Sequence, residues 1–165
     1  DGFAKVSPPM IVRNPVDIKP FIKRGQSLLG LDLGSKTIGL AKSDLSFTIA
    51  SPLETIRRSK FTKDALELKA IIDANEIGAL VLGLPFNMDG TEGPRCQSTR
   101  QFAANLLEKF DIPITYWDER MSTQAVTRTL LEADATRKRR AEVVDKMAAA
   151  YILQGALDAL NMSAV

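Results

Sequence analysis

Histidine is absent from this chain of 165 residues, and cysteine occurs once, at Cys96. Without an imidazole, no Ser-His-Asp or Cys-His relay can form, and zinc sites that need histidine or several thiolates are excluded as well. A single cysteine also rules out a disulfide framework within the chain. No apolar run approaches the roughly 18 residues that a membrane span needs, and the N-terminal stretch lacks the apolar core of a secretory signal. The setting these absences predict is soluble, reducing and cytoplasmic, with no membrane partner. Any chemistry must then use carboxylates, lysines, hydroxyls or backbone groups, and a metal would be a hard, oxygen-liking ion such as Mg²⁺ or Mn²⁺.

What is present is the composition of one ordinary globular domain: 45% hydrophobic, 25% charged, 10 Gly and 8 Pro. Net charge is only +2, but residues 1–27 carry +3 and the remainder −1. A polyanion would therefore be met by a local patch and not by the molecule as a whole. Residues 1–26 hold Pro8, Pro9, Pro15 and Pro20 without sustained periodicity, which predicts an irregular leader ahead of a domain over 27–165. Leu28–Leu33 is a nearly continuous apolar run ending at Gly34-Ser35, the pattern of a strand buried on both faces. Strands over about 37–43 and 47–56 follow closely enough to make an antiparallel meander. Helical spacing over 61–75, a buried strand over 79–84, a helix over 95–110, a strand over 112–117 and helices over 122–133 and 140–160 complete a β-β-β-α-β-α-β-α-α order. That order predicts an α/β fold with a mixed five-stranded sheet, parallel strands being added to the meander through helical crossovers.

Four places stand out chemically. Asp32 puts an ionisable carboxylate in a central apolar strand, which is costly unless a cation or hydrogen-bond donors meet it. Capping the Gly34 turn, or pairing with Lys36, would also account for it. Asp118-Glu119-Arg120 follows a strand end, where ligands gather in open α/β sheets, although a solvated loop with a local ion pair has the same pattern. Asp145 extends the apolar stripe of Ala149, Ile152 and Ala156 by one helical turn, so it aims into the domain, toward either a metal or an internal cation such as Lys36 or Arg120. Carboxylates converging from a central strand, a strand end and a helix suit phosphodiester chemistry with hard cations. Just upstream, Arg137-Lys138-Arg139-Arg140 is either a phosphate grip or a solvated cationic turn. Gly83–Gly90 forms a strand-end loop with Asn87 as a further candidate ligand for substrate or water.

Taken together, Gly30-Leu31-Asp32-Leu33-Gly34-Ser35-Lys36-Thr37-Ile38-Gly39, the segment from Gly83 to Gly93, Asp118-Glu119-Arg120-Met121-Ser122-Thr123 and Asp145-Lys146-Met147-Ala148-Ala149 resemble the YqgF/RuvX family of pre-16S rRNA nucleases, relatives of Holliday junction resolvases. The resemblance spans about residues 28–160. It implies a ribonuclease H-like fold and a divalent-metal nuclease that matures the 5′ end of small-subunit rRNA. It also implies that Asp32, Glu119 and Asp145 are the catalytic metal ligands. Lys36, Asn87, Arg120 and Arg137–Arg140 are then the candidate substrate contacts, with pre-rRNA favoured over DNA junctions and a homodimer allowed. The resolvases carry a further carboxylate on the fourth strand, where this chain has Val81-Leu82-Gly83-Leu84. Three alternatives stand beside this reading: a DNA junction nuclease, a non-catalytic RNA-binding ribosome-assembly factor, and an actin-like ATPase or sugar kinase, whose first phosphate loop Asp32–Lys36 resembles. The last usually needs a second large lobe, for which a domain of about 138 residues leaves little room.

Overall fold

The computed structural model describes residues 11–12, 14–121 and 137–163, with side chains in the final helix from Lys146 to Met162. Its strands are β1 (Ile11–Val12), β2 (Ser27–Leu33), β3 (Thr37–Ser43), β4 (Ala50–Arg57), β5 (Ile77–Leu84) and β6 (Ile114–Asp118). Its helices are α1 (Phe61–Ala74), α2 (Pro94–Lys109) and α3 (Arg137–Ser163), with 3-10 turns at Pro15–Phe21 and Glu119–Met121. The expected helix over 122–133 lies outside the described residues.

The sheet order is β1-β6-β5-β2-β3-β4. β2, β3 and β4 form the antiparallel meander, while β5 pairs parallel to β2 and β6 parallel to β5. The two fully apolar strands occupy the middle because only there are both faces covered: all eight residues of β5 and six of the seven in β2 are buried. Side chains alternate across the sheet. Leu29 and Leu31 enter one core with Leu68 of α1 and Phe102 and Leu106 of α2, whereas Leu28 enters a second core with Ile152, Leu153 and Leu157 of α3.

The sheet has six strands where the meander-and-crossover pattern predicted five. The extra one comes from the N-terminal stretch. Ile11 and Val12 pair parallel with Ile114 and Thr115, and Thr115 donates its hydroxyl hydrogen to the Val12 carbonyl at 2.8 Å. Behind it, the 3-10 turn starts under an Asn14 side chain that accepts from the Val16 amide, and its Ile18 is fully buried in the α3 core. Residues 11–12 therefore pair with the sheet and Ile18 of the following turn packs in its core, where an irregular leader was predicted. A two-residue pairing and a proline-rich turn are too short to produce a readable period.

Helix α3 crosses its face of the sheet antiparallel to β2. Near its C-terminal end, Gln154 and Asn161 donate to the Thr48 and Phe47 carbonyls, beside the start of β2. Toward its N-terminal end, Lys146 lies with Thr37, just past the end of β2. The approach is close. A Cβ at Gly30 would lie 2.7 Å from the Leu153 Cβ and 2.9 Å from the Ala149 carbonyl oxygen, so glycine is required for this spacing.

Candidate active site at the strand ends

Asp32 is the penultimate residue of β2 and sits on the α3 face, two positions beyond Gly30. It is 2% exposed, so a carboxylate is held in the middle of the sheet's C-terminal edge. Continuing the β2–β5 register by one step from Leu31–Leu82 places Asp32 beside Gly83. Gly83 in turn pairs with Trp117 of β6, and Glu119 begins the 3-10 turn that follows that strand. The Glu119 carboxylate folds back over Gly83: a Cβ there would lie 2.9 Å from Glu119 Oε2 and would also run into the end of Ile152. Glycine at this one position opens the space between β2 and β6 that the Glu119 carboxylate enters, beside the strand position of Asp32. Its role was not readable from the sequence, where the position registered only as lacking a carboxylate.

Asp145 belongs to α3, one turn before Ala149, which packs against Gly30. Four residues of helix and two of strand advance by similar distances, about 6 Å and 7 Å, so the antiparallel helix brings backbone position 145 to the level of Asp32. Its side chain lies outside the described residues, as do those of Arg137, Lys138, Arg139 and Arg140, whose backbone forms the first turn of α3. Among the described residues, no group of three metal-ligating side chains is assembled.

The remaining candidates are placed as follows. Lys36 is exposed in the β2–β3 turn, with its carbonyl accepting from the Arg58 amide. Asn87 is engaged within its own loop, donating from Nδ2 to the Thr91 hydroxyl at 2.9 Å. Arg120 grips Asp118 through Nε and Nη2 and lies 5.2 Å from the centroid of the Phe86 ring. The Arg120 side chain, helped by its backbone amide, holds the Asp118 carboxyl below its ordinary value. Within the Asp118-Glu119-Arg120 triplet, then, Asp118 neutralises Arg120, and Glu119 is the carboxylate that turns inward. Cys96 is fully buried and its thiol is pushed up by burial, which makes it an inert core residue.

Two cations missed in the sequence stand at the same sheet edge on the opposite face. Arg58, just after β4, donates to the Gly34 carbonyl at 2.6 Å, and Arg95, in the first turn of α2, donates to the Leu33 carbonyl at 3.4 Å. Arg58 follows Arg57 in a short basic stretch and Arg95 stands alone, 37 residues further on, so only the fold brings the two to one strand end.

Comparison with known proteins extends the picture. Residues 26–159 match the family model described as RuvX: Holliday junction resolvase. A Paramagnetospirillum magneticum protein named "Putative pre-16S rRNA nuclease" is 68% identical over 149 residues, covering 90% of this chain and 96% of its own length. A Roseobacter denitrificans protein of the same name is 57% identical over 155 residues, covering 93% and 95%. Among solved structures, Thermus thermophilus RuvC superposes with a TM-score of 0.53 at 14% identity, covering 84% of this chain and 97% of that one. RuvC of the same organism in complex with a Holliday junction substrate gives 0.52 at 13% identity, covering 81% and 94%. These two similarities establish a shared fold.

Proposed function

We propose, for a chain that belongs to the RuvX Holliday junction resolvase family, a divalent-metal-dependent endonuclease that processes the 5′ end of pre-16S rRNA in the cytoplasm. That it is a nuclease, a phosphodiester hydrolase acting on nucleic acid, follows from the family and from relatives this similar. The RNA substrate, the cytoplasmic setting and the metal are the parts that go beyond family membership.

The observation that carries the proposal is the Glu119 carboxylate lying over Gly83, beside the strand position of buried Asp32. A pair of carboxylates at the C-terminal edge of a parallel sheet, with an acidic helix position at the same level, is an all-oxygen donor set of the kind Mg²⁺ and Mn²⁺ take. Asp32, Glu119 and Asp145 would hold the ions. When bound, such cations supply water activation and stabilise the leaving oxygen.

The chain's own residues do the rest. With no histidine available, no imidazole shuttles protons, so the three carboxylates must both anchor and orient. Rigidity comes from β2 and β5, whose backbones are hydrogen-bonded on both sides. Arg120, already committed to Asp118, sets the course of the chain entering and leaving Glu119 and is a positioning residue in this reading.

The test is cleavage of a precursor rRNA fragment and of a four-way DNA junction, each with Mg²⁺, with Mn²⁺ and with chelator. The expected result is metal-dependent cleavage of the rRNA fragment, abolished for the most part by Asp32→Asn, Glu119→Gln or Asp145→Asn without loss of the folded state. Full activity in Asp145→Asn would remove that residue from the site. Cutting of the junction alone would replace RNA by DNA as the substrate, and binding without cleavage would make the protein an assembly factor.

A further inference from the structure

The cavity on the opposite face of the same sheet edge has no part in the site described above. It has a volume of about 220 Å³ and is lined by Gly34, Ser35, Arg58, Arg95 and Ser98 together with the apolar flanks Leu33 and Pro94. Two guanidinium groups from separate elements enter it. Each is tethered by one N–H to a carbonyl at the end of β2, and Arg58 also lies 5.7 Å from the centroid of the Phe102 ring. A guanidinium has five N–H donors, so most of the donor capacity of both groups is not used by these tethers. No carboxylate lines the cavity, and among the described residues neither arginine forms an ion pair. Two cations held close together without a counter-ion repel each other, and an anion between them removes that cost.

We propose that this cavity is a subsite for a backbone phosphate of the nucleic-acid substrate, on the strand running away from the carboxylate site; the inference rests on the nuclease reading above. Its position supports this. Leu33 directly follows Asp32, and successive strand residues face opposite sides of the sheet, so carboxylate site and cavity lie back to back across one strand end. A strand of nucleic acid crossing that edge meets both. The chemistry of the lining selects phosphate over base: it offers guanidinium and hydroxyl donors, but no aromatic ring for stacking and no Asn, Gln, Asp or Glu to read a base edge. Binding there is therefore independent of base sequence.

The test uses the full chain and a fluorescent single-stranded RNA, with binding measured in chelator across a salt series so that cleavage does not enter. Arg95→Ala removes one cation, and Ser98→Glu puts a negative charge at the mouth while leaving both arginines in place. Thermal melting reports folding, and inorganic phosphate is titrated separately into the wild-type chain. The expected result is weaker RNA binding in both variants, with the log-log salt slope of Arg95→Ala flatter by about 0.7, the value for one single-strand phosphate left without its cation. Melting temperatures of the variants should match wild type, and inorganic phosphate should raise the wild-type melt, because an anion between the arginines removes their repulsion. Unchanged affinity and slope in both variants, with the wild-type chain binding RNA, overturns the subsite alone. A saturable shift of the melt by inorganic phosphate with unaltered RNA binding makes it a free-anion pocket and overturns it too. If the wild-type chain binds neither RNA nor a DNA junction, the nuclease reading falls and takes the subsite with it.

Discussion

Gly83 shapes the candidate site through the side chain it lacks. It pairs with Trp117, sits at the next register step from Leu82, and leaves open the volume that the Glu119 carboxylate enters. Gly83→Ala should therefore cost about 1–3 kcal/mol through overpacking against Ile152. It should cost cleavage more than this destabilisation explains, because the Glu119 carboxylate is displaced; urea unfolding beside single-turnover rates separates the two effects. Asp44, outside the site, offers a pH test. The amides of Thr48 and Ile49 donate to its Oδ1 at 2.7 and 3.1 Å, and Ser46 donates to Oδ2 at 2.9 Å. These donors favour the ionised form, the Thr48 amide most, and hold the carboxyl below its ordinary 3.8. A depressed carboxyl contributes stability that is present above the unfolded value and is lost as pH falls through the folded one. The amide shifts of Thr48 and Ile49 followed by NMR should accordingly titrate with a midpoint below 3.8.

Among the elements, the N-terminal stretch changes most between sequence and structure. Its four prolines and scattered apolar residues read as an irregular leader, yet Ile18 is fully buried in the α3 core and Val12 is 6% exposed at the sheet edge. Ile18→Ala should destabilise the protein by about 2–5 kcal/mol, as for other fully buried Ile-to-Ala truncations. Deleting residues 1–21 should lower the melting temperature by many degrees and expose the free edge of β6 to pairing with another chain. Calorimetry and light scattering on the truncated chain check both outcomes. An unchanged melt would mean that the 27–165 domain stands without it.

For the molecule as a whole, net charge is close to zero, so nucleic acid must be held by placement. The parallel strands β2, β5 and β6 end at one edge, and the antiparallel course of α3 brings its basic first turn toward that same edge. Replacing two of Arg137, Lys138, Arg139 and Arg140 by alanine should flatten the salt dependence of binding by about 0.9 of log-log slope for each duplex phosphate no longer neutralised. An unchanged slope returns the run to a solvated face. No described helix is long and apolar enough to cross a membrane.

Elements with local signals were legible before any folding was considered: the doubly buried runs of β2 and β5, the 3.6-residue stripes of α1 and α2, and the limit to oxygen-donor chemistry set by the missing histidine. Asp32 was legible too, as a carboxylate in a strand with no surface to face, and that residue is 2% exposed. Packing was needed to settle that Glu119 turns inward while Asp118 is spent on Arg120, because the two are adjacent in sequence and differ only in what packs beside them. Packing likewise settled that residues 11–12 make a sixth strand and that Arg58 and Arg95 line one cavity, because the end of β4 and the start of α2 approach the same strand end. Periodicity and composition register what a residue shares with its chain neighbours; contacts across tens of residues are set by register and by which face of the sheet a helix covers.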